Sequence, residues 1–157
     1  MLEARSSGVV VLVALTIVVA PVAETQAGSR DALGVRAGMS NAPDQFVIGG
    51  QAELGPVLGP ALFAPSLDIG FGAGQTVAVL NLDLRWYLLP LPETGLYFYG
   101  AAGPALLVSP DTDVGFSAVG GIDIPMTSAR NRYNFEARFG FGDVPDRKIV
   151  LSVLFVL

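Results

Sequence analysis

The segment NLDLRWYLLP, Asn81 to Pro90, preceded by Leu80, sets Leu80, Leu82, Leu84 and Trp86 against Asn81, Asp83, Arg85 and Tyr87, residue by residue. Apolar and polar residues alternating with period two mark a β-strand with two unlike faces. In a soluble sheet the leucines would point into a core. In a membrane barrel they would point at lipid, with the Asp and Arg turned inward. The rest of the chain chooses between these.

The same alternation recurs in seven further segments. Leu33 to Met39 sets Val35 and Ala37 against Arg36. Phe46 to Leu54 sets Phe46, Ile48, Gly50 and Ala52 against Gln51 and Glu53. Phe63 to Phe71 sets Leu67, Ile69 and Phe71 against Ser66 and Asp68. Past the opening stretch, which extends back to Val77, Leu96 to Val108 is apolar or small on both sides, and Pro104 within it predicts a bulge or an irregular ladder. Val114 to Ile124 sets Phe116, Ala118 and Ile122 against Ser117 and Asp123. Tyr133 to Phe141 sets Tyr133, Phe135, Phe139 and Phe141 against Asn134, Glu136 and Arg138. In Lys148 to Leu157, Ile149, Leu151, Val153, Phe155 and Leu157 share a face. Between these lie SNAPDQ, GPVLGPA, GAGQT, PLPETG, SPDTD, MTSARNR and GDVPD, rich in residues that supply the backbone angles of reversals. Eight strands joined by seven short connections predict an antiparallel up-and-down meander. Eight is also the smallest usual number for a closed transmembrane β-barrel.

Composition points the same way. The chain of 157 residues is 52% hydrophobic and only 15% charged. Ordinary domains run near 25% charged, so lipid is the natural cover for so much apolar surface. The first 27 residues, MLEARSSGVVVLVALTIVVAPVAETQA, have a short polar start, an apolar run and a small-residue exit, the layout of a secretory signal peptide. The expected organisation is therefore residues 1–27 as signal peptide and 28–157 as the barrel domain. Setting Glu3, Arg5 and Glu24 aside leaves eight basic and twelve acidic residues, a net charge of −4. Nothing in that balance suits nucleic acid. Beyond residue 27 no apolar stretch approaches the roughly 20 residues of a helical span, so a closed barrel is the remaining way to satisfy every backbone hydrogen bond in a bilayer.

Aromatic placement supplies an independent reading. With odd strands running outward, Trp86, Tyr97, Tyr99, Tyr133 and Phe155 fall near the periplasmic ends, and Phe46, Phe71, Phe116 and Phe141 near the outer ends. Two aromatic belts flanking an aliphatic band suit the two interfaces of a membrane. The inward positions then hold Arg36, Glu53, Asp68, Asp83, Arg85, Asp123, Glu136 and Arg138. A barrel of eight strands has an interior that side chains just fill, so these charges are expected to pair as a buried network.

Taken together, the chain resembles the small bacterial outer-membrane β-barrel proteins. NLDLRWYLLPLPETGLYFYGAAGPAL is similar to that family's middle hairpin. RKIVLSVLFVL is similar to its final strand, which the barrel-assembly machinery recognises, with Leu157 where an aromatic residue is usual. The resemblance implies insertion into outer-membrane lipid and contact with that machinery through the C-terminal strand. Loop-borne adhesion fits poorly, because the proposed outer loops are short.

Chemistry is conspicuous by what is missing. Without His or Cys, the chain lacks the usual catalytic triads and zinc ligand sets. Asp68, Asp83, Asp123 and Glu136 leave acid–base catalysis by carboxylates open in principle, but a structural ion-pair network outweighs it. GFGAG and GAAGPA join no strand to a helix, so they are not phosphate loops. SPDTD and GDVPD lack calcium-loop spacing and read as turns, while Arg130 and Arg132 in the turn TSARNR read as solvated. No cofactor or metal is expected. The leading expectation is a non-enzymatic envelope protein with a plugged polar interior and a structural or interaction role. Its rivals are a narrow channel for small apolar solutes, left open by Gly34, Gly38, Gly70 and Gly121, and a soluble exported barrel binding a lipid-like ligand.

Overall fold

The computed structural model describes residues 31–91, 93–108, 112–127 and 130–157; the expected signal peptide lies outside the described residues. Eight antiparallel strands pair in sequence order and close on themselves: β1 (Ala32–Asn41), β2 (Gln45–Leu58), β3 (Ala61–Gly72), β4 (Gln75–Leu91), β5 (Leu96–Val108), β6 (Asp113–Pro125), β7 (Arg132–Gly142) and β8 (Arg147–Val156). The closing seam joins β1 to β8 from Ala32↔Val156 to Asn41↔Arg147. Closure leaves no unpaired strand edge, the condition a sheet must meet within hydrocarbon.

Alternation translates directly into facing. In β4, Asn81, Asp83 and Arg85 are buried while Leu80, Leu82 and Leu84 lie on the outer wall beside Phe63, Pro65 and Leu67 of β3. Val35, Met39, Phe46, Phe116, Phe141, Ile149, Leu151 and Phe155 are exposed, whereas the buried set is dominated by Asp, Glu, Arg, Asn, Gln and Ser. That is the reverse of a soluble barrel with leucines inside and charges outside. Ordinary water-soluble monomers do not present such a continuous apolar wall.

Two hairpins depart from the expected boundaries. GPVLGPA is not all turn: β2 continues to Leu58 through register shifts at Pro56 and Leu58, and Gly59 supplies the positive φ of the reversal. Pro cannot donate to the ladder, and the shifts accommodate it. Likewise β4 runs on through Leu91, with a shift between Tyr87 and Leu89. Pro104, by contrast, makes no register shift. Pairing of β5 with β6 is continuous through Pro104↔Phe116, and on the β4 side the register is the same on either side of the unbridged stretch between Asn81↔Ala105 and Leu84↔Ala102. The irregularity is a missing rung, because Pro lacks the N–H.

Candidate functional site: the charged lumen

Hydrophobic packing inside the barrel is confined to small groups. Val77, Val79, Ala105 and Val144 form one, and Tyr99, Ala101 and Val119 another. Val47, Leu62, Val150 and Leu154 are buried as well, and the rest of the interior is largely polar. Many inward strand positions hold a charge, and the pleat aims these side chains at one axis.

The charges form a continuous chain of ion pairs. Near one end Lys148 Nζ lies 2.6 Å from Asp68 Oδ2, and Arg36 Nε is 3.0 Å from Asp68 Oδ1. Arg36 Nη2 then reaches Glu136 Oε1 at 2.7 Å, and Gln51 accepts from its other terminal nitrogen at 2.9 Å. Arg138 Nη2 bridges Glu136 Oε1 at 3.0 Å and Asp83 Oδ2 at 2.7 Å. Ser117 closes this corner: its hydroxyl accepts from Arg138 Nη1 at 2.7 Å and donates to Asp83 Oδ1 at 3.1 Å. Toward the other end, Arg85 pairs with Glu136 Oε2 at 3.4 Å and with Glu53. Arg132 also pairs with Glu53, and its Nε lies 2.9 Å from Asp123 Oδ2.

Glu136, with no exposed surface, is the hub, since three guanidiniums converge on its two oxygens. In all, five cations (Arg36, Arg85, Arg132, Arg138 and Lys148) face five carboxylates (Glu53, Asp68, Asp83, Asp123 and Glu136). Among the described residues, the formal charges of these ten paired groups cancel. Burying these groups is affordable only because each is paired and hydrogen-bonded.

The structure brings together the eight charges expected from the sequence and adds two. Arg132 points into the lumen rather than lying in a solvated turn, and Lys148 joins the network from β8. Charge bookkeeping would have found both. Three cations against five carboxylates in a sealed interior leave a surplus of two negative charges, and Arg132 and Lys148 have the inward phase because Tyr133 and Ile149 beside them face out. The turn assignment of Arg132 fails because β7 begins at that residue, with Asp123 on the neighbouring strand β6 and Glu53 across the lumen on β2 to receive it.

The expected belts need one correction. Trp86, Tyr133 and Phe155 lie on the outer wall, as do Phe46, Phe71, Phe116 and Phe141. Tyr99 is only 2% exposed and lies inside: its hydroxyl accepts from Asn134 Nδ2 at 2.8 Å and donates to Glu136 Oε2 at 3.2 Å, and Arg85 stacks 3.9 Å from its ring centroid. Tyr97 has the same phase and turns to the lumen mouth, its ring edge-on to Tyr87 at 5.9 Å. Strand β5 is apolar on both sides, so its sequence does not reveal its phase. Phe98 occupies the outward position instead.

The space at the inward glycines is taken by neighbours. A Cβ on Gly121 would run into the Tyr99 ring, one on Gly70 into the Gln45 amide, and one on Gly34 would sit 2.8 Å from a Leu154 methyl. Their missing side chains are filled by neighbours. We expect Tyr99→Phe, which keeps the ring over Arg85 but deletes the hydroxyl bonds, to destabilise the barrel by about 1 kcal/mol. Urea unfolding in lipid vesicles measures this, and Tyr97→Phe serves as the mouth-exposed comparison.

Closed pairing, an outer wall of Leu, Ile, Val and Phe and a charged interior together make this an eight-stranded transmembrane β-barrel fold. Solved structures agree. The chain is similar to the N-terminal β-barrel domain of Pseudomonas aeruginosa OprF, with 15% identity and a TM-score of 0.61 over 83% of this chain and all of that one. It is also similar to a chain from a de novo design of transmembrane β-barrels (14% identity, TM-score 0.56, covering 86% of this chain and 100% of that one). The solution structure of the designed barrel TMB2.3 matches too (13% identity, TM-score 0.57, covering 85% and 98%). No family model and no curated protein sequence matches the chain. At these identities the likeness is one of fold.

Proposed function

We propose that this chain is a non-enzymatic integral protein of the bacterial outer membrane, exported by a cleaved N-terminal signal, whose barrel serves a structural or interaction role and whose lumen is plugged by its own charges. The observation that carries the reading is the neutral network of five cations and five carboxylates, which spends the ionisable groups on one another. Carboxylates already held by two or three donors make poor general bases. Residues on the outer wall contact lipid, and β8, with Ile149, Leu151 and Phe155 exposed and Val153 half-buried on one face, is the segment we assign to recognition by the barrel-assembly machinery.

Insertion from the periplasm would place the start of β1 and the end of β8 on the periplasmic side and the β1–β2, β3–β4, β5–β6 and β7–β8 loops outside. Two measurements test the proposal. The protein is expected in the outer-membrane fraction, migrating faster on a gel unheated than boiled. In planar bilayers the purified barrel is expected to stay electrically silent. Recovery in the soluble fraction would overturn the membrane assignment, and steady single-channel openings would overturn the plugged lumen.

A further inference from the structure

The two ends of the lumen are closed differently. At the end where β1 begins, an open cavity of about 250 Å³ lies between Tyr87, Tyr97, Asp123 and Arg132. At the opposite end, the cavity beneath the β7–β8 loop is about 10 Å³, room for no more than a single water.

The cause is the loop itself. Residues joining strands normally run over the surface, and Asp143 and Asp146 do. Between them Val144 is only 7% exposed and Pro145 is buried. Val144 drops into the barrel to pack with Val77, Val79 and Ala105, and Leu107 leans on the group. The loop is anchored where the Gly140 N–H donates to the Asp146 carbonyl at 2.8 Å.

Two inward glycines make room for it. A Cβ on Gly115 would stand 2.7 and 2.8 Å from the Val144 methyls, and one on Gly140 would stand 2.9 Å from Val144 Cγ2 and press on the Pro145 carbonyl. Directly below lie Asn81, Ser117, Arg138 and Lys148, the upper members of the polar interior. An apolar residue is thus placed at an end of the lumen where a polar one could have met water.

We propose that the β7–β8 loop is a stopper: Val144 and Pro145 seal this end of the lumen against water-borne solutes, separately from the charge network beneath. The inference rests on the reading of the chain as a membrane barrel. Displacing Val144 opens the chamber above Arg138 and Lys148 while leaving their ion pairs in place.

Because the chain has no cysteine, a single introduced thiol reports on access. Ala105→Cys lines the sealed space and lies outside the ion-pair network. In the full chain refolded into vesicles, a charged, water-soluble methanethiosulfonate is expected to label this thiol about 100-fold more slowly than Asp143→Cys on the loop, as for a group reached only by local opening. Adding Val144→Gly is expected to raise the Ala105→Cys rate at least about 10-fold by lowering that opening cost. Heat-modifiable migration checks folding, and Val144→Ala replaces Val144→Gly if the latter fails to fold. Fast labelling of Ala105→Cys in the otherwise unaltered barrel overturns the stopper, and so does a rate that no Val144 variant changes. Silent bilayers with fast labelling would sink the stopper alone, whereas steady channel openings, which need both ends of the lumen open, would overturn the plugged lumen and the stopper together.

Discussion

Glu136→Ala is expected to destabilise the barrel by about 3 to 5 kcal/mol, the cost of breaking a buried ion pair by removing one partner. The residue has no exposed surface and its two oxygens hold Arg36 at 2.7 Å, Arg138 at 3.0 Å and Arg85 at 3.4 Å, besides accepting from Tyr99. Truncation strands three guanidiniums around an emptied site. Asp68 still holds Arg36, Asp83 still holds Arg138 and Glu53 still holds Arg85, which keeps the loss from being larger. The neutral interior also acquires a net positive charge that nothing nearby offsets. Urea unfolding in lipid vesicles gives the number directly. A loss below about 1 kcal/mol, the range of exposed surface pairs, would mean that water reaches and screens the network.

The second large effect is on the opposite wall. Leu82→Arg should prevent the chain from folding into a bilayer, since an arginine facing lipid at the midplane costs about 2 to 4 kcal/mol. Leu82 sits near the middle of β4 on the outward side, directly beside Pro65 of β3. An arginine there is too far from either interface to reach water without distorting the membrane. The measurement is the folded fraction on an unheated gel after refolding into vesicles. Thr127→Arg, an exposed change in the β6–β7 turn, is the control. Equal folding of the two variants would refute the outward assignment of Leu82.

The same strand shows why so much of this fold is legible in sequence. Whether Leu82 and Asp83 point to opposite walls depends only on the pleat, which is local and has a period of two residues. Seven other strands obey the same rule, and Gly, Pro, Asn and Asp place the reversals between them. Where locality fails, so does the reading. GPVLGPA contains turn residues, yet the chain stays paired to Leu58 because neighbouring β3 supplies a partner through two register shifts. Tyr97 and Tyr99 sit on a strand whose two sides are equally apolar. Their phase is set by what faces them across the sheet, Gly121 leaving the space that the Tyr99 ring fills.

Sequence alone therefore determined the strand count, the lipid-facing and lumen-facing sets of the strands other than β5, and the presence of charges in the interior, because each follows from neighbours one or two residues apart. Tertiary structure alone decided which charges meet. Arg36 finds Glu136 across a separation of 100 residues and Lys148 finds Asp68 across 80, so the pairs exist only after the sheet closes with one particular stagger. Closure also drew Arg132 into the lumen against Glu53 and Asp123, and seated Val144 between Gly115 and Gly140. Alternation within a single strand does not encode those contacts, since each joins one strand to another strand or to a loop.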